Sequence, residues 1–246
     1  KYSHLYILDK VNKPAIAAKI SGIKNIIGPG IGNQKKYLTT DIVLKDEDWR
    51  LNYSEQTKKL LKLHNINLNN PYPQLNFNIK EFNEDNSDLL YKGKKIAFGV
   101  DSFEDYKMWY EEDFVKLAEL LYKKIYLIMC IYLCPDKSYI AKKIIEISQK
   151  DYFIDCSKKD LTGVITAIKN SQFFVGNNSG PLNLSAALGV ESFGLIVNDA
   201  ISELKYSKIQ FITPKNYKDN TWIRDRKNMK TLTPQEVFNF LENKIK

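Results

Sequence analysis

The residues best placed for chemistry lie in FFVGNNSGPLNLSAALG, residues 173–189. An apolar run gives way to Gly176-Asn177-Asn178-Ser179-Gly180, and the spacing predicts a helix from Pro181. The first amides of a helix have no partner within it and carry the positive end of its dipole, so such a start attracts a phosphate. Asn178 and Ser179 add side-chain donors, and Gly180 lets a ligand come close to the backbone. The same residue types also suit a capped strand-to-helix turn that binds nothing. A second candidate is the loop DSFEDYKMW, residues 101–109. Asp101 and Ser102 open it, and Lys107 can neutralise a diphosphate as a point charge. The plainer alternative there is an exposed lysine beside a Trp that packs on the domain surface.

Other chemistries are excluded by spacing. GPGIG, residues 28–32, lacks the GxGxxG spacing of a dinucleotide cradle, and Pro29 and Gly32 suit a loop. His4 and His64 are far apart and have no Cys or acidic partner at ligand spacing, so neither a zinc site nor a Ser-His-Asp triad is expected. No Walker motif, kinase set or GxSxG elbow occurs. Cys130, Cys134 and Cys156 form no CxxC pair and read as structural thiols of a reducing compartment.

The candidate loops need elements to position them, and the pattern supplies these after Gly93. IAFGV (96–100), the uncharged run 125–134, YFID (152–155), FFVG (173–176), FGLIV (193–197) and IQFIT (209–213) read as strands. Between them lie helices over 111–124, 137–149, 160–171 and 181–188, with a last one over 234–245. In the first of these, Phe114, Leu117, Ala118 and Leu121 fall on one face. Solid apolar strands alternating with helices mean a parallel sheet covered on both faces, and open sheets of this kind bind ligands beyond the carboxyl ends of their strands. Both candidate loops occupy that position.

Residues 1–93 are polar and weakly patterned. Helices are expected over 14–23 and 54–66, a strand over 4–8, and a Pro- and Asn-rich linker over 67–93. The division expected is therefore 1–93 and 94–246. The chain opens at Lys1 inside a strand-like run, with too few strands for a full Rossmann domain, which leads us to expect that it starts part-way through a protein. Of its 246 residues, 43% are hydrophobic and 27% charged, which excludes a wholly disordered chain. The run 125–134 is too short to span a bilayer, which takes about 20 residues. The net charge of +8 is spread as single lysines and KK pairs, which favours anionic partners without indicating a nucleic-acid tail.

The two loops together, Lys107-x-Trp109 before EEDFVKLAELL and then FFVGNNSGPLNLSAALG, followed by TLTPQEVFNFL, resemble the heptosyltransferases of glycosyltransferase family 9. AIAAKISGIKNIIG, residues 15–28, extends the resemblance into the first half. These enzymes use ADP-heptose to build the inner core of lipopolysaccharide. The resemblance implies an α/β fold of GT-B type, two Rossmann-like domains facing a cleft with the first incomplete. It implies that Lys107 contacts the donor phosphates and that Asn178, Ser179 and Gly180 line the diphosphate and sugar end. With Asp101, Ser102, Pro181 and Asn183, these make the expected substrate-binding set. It further implies an inverting transfer from a nucleotide-sugar donor to a lipid-linked glycan, without metal or cofactor, in the cytoplasm and in peripheral contact with the inner membrane. No nucleic-acid partner is implied. Two departures stand out: the family often has Asp and His where this chain has Asn178 and Asn183. Nothing in residues 1–20 matches the segment that carries the family's acidic general base, which places that base upstream of Lys1. A non-catalytic relative that binds a nucleotide-sugar is the alternative.

Overall fold

The computed structural model describes residues 2–70, 72–76, 94–125, 128–132, 137–156, 159–201, 204, 209–219, 223–242 and 244. The chain divides into two compact units, one of residues 1–72 and 202–204, the other of residues 73–201 and 205–246. The boundary expected at 93 lies outside the described residues.

The larger unit is built on six strands: β3 (Lys95–Gly99), β4 (Ile128–Tyr132), β5 (Phe153–Asp155), β6 (Phe173–Asn177), β7 (Ser192–Leu195) and β8 (Ile209–Ile212). Their order across the sheet is β5-β4-β3-β6-β7-β8, and every neighbouring pair is parallel. The chain therefore runs outward from β3 in one direction, then returns to β6 and runs outward in the other. Between β3 and β6 lies the topological switch point, where open α/β sheets bind ligands.

Alternate residues of each strand serve opposite faces. Ile96, Phe98 and Val100 join Phe173 and Val175 under α3 (Glu111–Ile125), α4 (Ser138–Ser148) and α7 (Pro234–Glu242). Ala97 and Phe174 point the other way, against α5 (Leu161–Lys169) and α6 (Gly180–Ala187). The expected stripe of Phe114, Leu117, Ala118 and Leu121 is buried on the first face. Gly99 and Gly176 are register partners across β3 and β6. A Cβ on Gly176 would come within 2.5–2.7 Å of the Gly99 backbone, so glycine is required where the two site-bearing strands end.

Several boundaries differ from the sequence expectation. Ile125 belongs to α3, so β4 starts later than the apolar run does. The β7 ladder stops at Leu195, although the Ile196 amide still reaches the Ile212 carbonyl at 3.0 Å. Cys156 is a buried thiol and Cys130 lies within β4, whereas Cys134 falls outside the described residues. Among the described residues no helix is long and apolar enough to cross a membrane.

In the smaller unit, β1 (His4–Tyr6) and β2 (Asn25–Ile27) pair in parallel around α1 (Lys13–Ile20), with α2 (Tyr53–Leu63) following. Helix α1 stops before Gly22, whose φ of +72° ends it, and α2 stops before Asn65 at φ +61°, three residues short of Ile66. The GPGIG segment serves packing. Gly30 has φ +82°, and its amide donates to the buried Gln34 side chain at 2.9 Å. The Gln34 side-chain Nε2 in turn donates to the carbonyls of Asp9 and Val11, at 2.9 and 2.8 Å. One buried side chain thus ties together the loops after β1 and β2.

Candidate functional site

The loop after β3 and the start of α6 after β6 meet at the switch point. Its centre is Asn177, fully buried at the end of β6. Its side-chain amide donates to the Val100 carbonyl and its carbonyl accepts the Trp109 amide, both at 2.9 Å. One asparagine thereby fixes both ends of the 100–109 loop. Trp109 is not on the surface: it is buried against Phe114, and its indole N–H donates to the Leu232 carbonyl at 2.9 Å.

Three further side chains hold this loop. Lys137 Nζ donates to the Ser102 carbonyl at 2.6 Å and to Asp105 Oδ1 at 2.8 Å. Asn198, buried just past β7, donates to the carbonyls of Tyr106 and Asp225 at 2.6 and 3.1 Å. Arg226 donates to the carbonyls of Met108 and Trp109, and its guanidinium lies over the Tyr110 ring. A loop fixed from four elements is preorganised, which is what a binding site needs of a segment without regular structure.

Lys107 sits in this frame and is not exposed. Its ammonium lies 2.6 Å from Glu104 Oε2 and 3.5 Å from Asp199 Oδ1. Burial alone would depress its pKa, but the Glu104 hydrogen bond and the field of Asp199 outweigh it and hold the pKa above the usual lysine value. The Lys107 bond holds the Glu104 carboxyl below its ordinary range, and the Lys137 bond does the same for Asp105.

On the β6 side, Ser179 is the N-cap of α6 and Pro181 occupies its first turn. Asn178 Nδ2 donates to Asp199 Oδ2 at 2.8 Å, and Ser102 Oγ reaches the Asn178 carbonyl at 3.4 Å. Ser179 Oγ is buried with no hydrogen-bond partner among the described residues. A Cβ on Gly180 would meet nothing within 4 Å, and its φ is not positive, so neither packing nor backbone geometry calls for glycine there. Asn183 turns back on its own helix start and donates to the Ser179 carbonyl at 3.3 Å.

The structure thus places Asp101, Ser102, Lys107, Asn178 and Ser179 at one end of two adjacent strands. Gly180 and Pro181 open the helix beside them, and Asn183 lies one turn in. Sequence reasoning missed the roles of Asn177 and Glu104, although both lie in the segments it singled out, and it missed Asp199, Lys137, Asn198 and Arg226 altogether. Asp199 had a usable signal, since it follows an apolar strand as Asp101 does; Lys137 and Arg226 had none. A cavity of about 290 Å³ adjoins the site at the ends of β7 and β8, walled by Val197, Tyr217, Asn228 and Thr231. Among the described residues no group of His, Cys, Asp or Glu is arranged to hold a metal ion, and His4 and His64 bond Asn25 and the Ile42 carbonyl instead.

An open parallel sheet with two loops meeting at its switch point defines a Rossmann-like class of α/β protein. Within that class, the chain belongs to glycosyltransferase family 9 (heptosyltransferase), whose family model matches residues 6–232. It is similar to E. coli ADP-heptose LPS heptosyltransferase II, at 18% identity and a TM-score of 0.77 over 98% of this chain and 76% of that one. It is also similar to E. coli heptosyltransferase WaaC with ADP, at 16% identity and a TM-score of 0.69 over 99% of this chain and 73% of that one. A family 9 glycosyltransferase from Veillonella parvula aligns at 12% identity and a TM-score of 0.65 over 94% and 76% of the two chains. No curated protein matches the chain at the sequence level. The fold is of the GT-B type.

Proposed function

We propose that this glycosyltransferase moves a sugar, heptose in the leading reading, from a nucleoside diphosphate donor such as ADP-heptose to lipopolysaccharide core or a related lipid-linked glycan. The observation that carries this is that Lys107 and Asn178, the residue before the α6 cap, face one carboxylate, Asp199, at the ends of the strands. A leaving diphosphate there meets an ammonium on one side and unpaired helix amides on the other. Pro181 brings no N–H, so its neighbours in the first turn supply the donors. Gly180 leaves room for the phosphate to approach. In this reading Lys107 and the helix start do the work that a divalent cation does in other transferases, and the transfer is an inverting displacement. The acceptor's lipid anchor places the work at the cytoplasmic face of the inner membrane.

A second reading is a relative that binds the donor without turnover. Two observations favour it: the Asn178 amide is taken up by Asp199, and Asn183 is spent on its own helix start. A donor-consumption assay with ADP-heptose and heptose-free lipopolysaccharide, run on the full-length protein with and without chelator, separates the two. Transfer that persists in chelator supports the enzyme reading. Donor binding without consumption supports the second, and absence of both overturns the site.

A further inference from the structure

Resting on the donor-site reading above, we infer that Asp199 is a positioning residue of this site: a buried carboxylate that holds Lys107 and Asn178, one from each loop, in the arrangement a diphosphate meets. Its two oxygens are divided between the loops. Oδ2 accepts from Asn178 Nδ2 at 2.8 Å, and Oδ1 faces Lys107 Nζ at 3.5 Å. Oδ1 is buried and has no hydrogen-bond partner among the described residues, so a small movement of the ammonium completes the bond.

Asp199 itself cannot give way easily. Its residue is 3% exposed, and its carbonyl accepts the Tyr217 hydroxyl at 2.6 Å. The same hydroxyl accepts the Ile201 amide at 3.1 Å, and the preceding Asn198 is bonded to the carbonyls of Tyr106 and Asp225. The carboxylate therefore stands on a braced segment at the end of β7. Glu104, the other partner of Lys107, is different: its side chain is 38% exposed and only three residues away on a turn. A pair with one partner this open to water contributes less than a buried one and is more readily exchanged. When a diphosphate binds, Glu104 releases Lys107 and Asp199 keeps it.

The two carboxylates make opposite predictions, because removing a negative charge near an anion site relieves repulsion. If charge alone mattered, both Glu104→Gln and Asp199→Asn would tighten diphosphate binding. The positioning role reverses the sign at Asp199 only. The experiment is calorimetric titration of the folded chain with ADP, and with UDP in parallel. Glu104→Gln is expected to bind about two- to fivefold tighter. Asp199→Asn, which is isosteric and keeps an acceptor for Asn178, is expected to bind about tenfold weaker. In a Lys107→Met background the Asp199→Asn loss should disappear, whereas a merely structural role would leave it intact.

A pH series gives an independent readout. The groups facing Lys107 are Glu104 and Tyr106 on its own turn and Asp199 from the segment after β7. With Asp199 neutralised, ADP affinity should begin to fall at lower alkaline pH than in wild type, because Lys107 loses its proton sooner. Should Asp199→Asn not fold, Asp199→Glu keeps the charge but displaces it by one methylene, and is likewise expected to weaken ADP binding. Unchanged or tighter binding by the Asp199 variant, or a loss that persists without Lys107, overturns the positioning role while leaving the donor site standing. A folded wild-type chain that binds neither nucleotide removes the donor-site reading and this inference with it.

Discussion

Replacing Asn177 by Ala should cost more than any other single change in the site. The side chain is fully buried and makes two hydrogen bonds of 2.9 Å, to the Val100 carbonyl and from the Trp109 amide. Both partners are main-chain groups of buried residues, so water cannot readily replace the asparagine. Each group left unsatisfied costs about 1–3 kcal/mol, which puts the loss of the two at roughly 2–6 kcal/mol before any cavity contribution. For a domain of this size about 1 kcal/mol moves Tm by roughly 2–4 °C, so calorimetry should show a fall of about 4–24 °C. Asn177→Asp is not a conservative rescue: it can accept from Trp109 but sets a buried carboxylate against the Val100 carbonyl. Its deficit should therefore shrink as pH falls and the carboxyl takes a proton. Loss of the bond also frees the loop that carries Lys107, so ADP affinity should fall with stability. A loss below about 1 kcal/mol, with ADP binding retained, would show that the loop is held by its other contacts and that Asn177 is not its centre.

Other outcomes follow from the same geometry. Lys137→Met should leave the fold intact, with a loss of about 1 kcal/mol, yet weaken ADP binding by roughly threefold to tenfold, because the Ser102 carbonyl and Asp105 lose their common tether; thermal melts and titration of the same variant check both halves. Gly180→Val should change stability by less than about 0.5 kcal/mol, since its Cβ meets nothing within 4 Å, while abolishing ADP-induced stabilisation. The carboxyls of Glu104 and Asp105 should titrate below their ordinary 4.5 and 3.8. Because these folded pKa values are depressed, both ion pairs are intact above the ordinary values and are lost only as pH falls through the lowered ones. Carbon-detected NMR should show this, with Lys107→Met moving Glu104 alone back toward its usual range.

The sheet was legible in the sequence because each strand is a short apolar run and α3, α4, α5 and α7 each keep one apolar face, so local pattern and burial agree. Both site loops were legible for the same reason, as the polar segments that end apolar strands. What local pattern could not show was which strands become neighbours. The order β4-β3-β6 puts Lys107 next to Asn178 across some seventy residues of chain, and it brings in Lys137 and Arg226, whose roles exist only in three dimensions. Trp109 illustrates the limit. A tryptophan beside a lysine in a polar loop reads as surface, yet it is core here because the turn carrying Leu232 closes over it. Helix ends were misjudged where a left-handed residue such as Asn65 cut a continuing apolar pattern short.

The most direct test of the donor-site account is a crystal structure of the chain with ADP. The diphosphate should lie within hydrogen-bond reach of Lys107 Nζ and of the amides at the start of α6, with Glu104 turned away and Asp199 still facing the ammonium. ADP bound instead in the cavity walled by Val197, Tyr217 and Asn228, with the Lys107–Glu104 pair undisturbed, would contradict it.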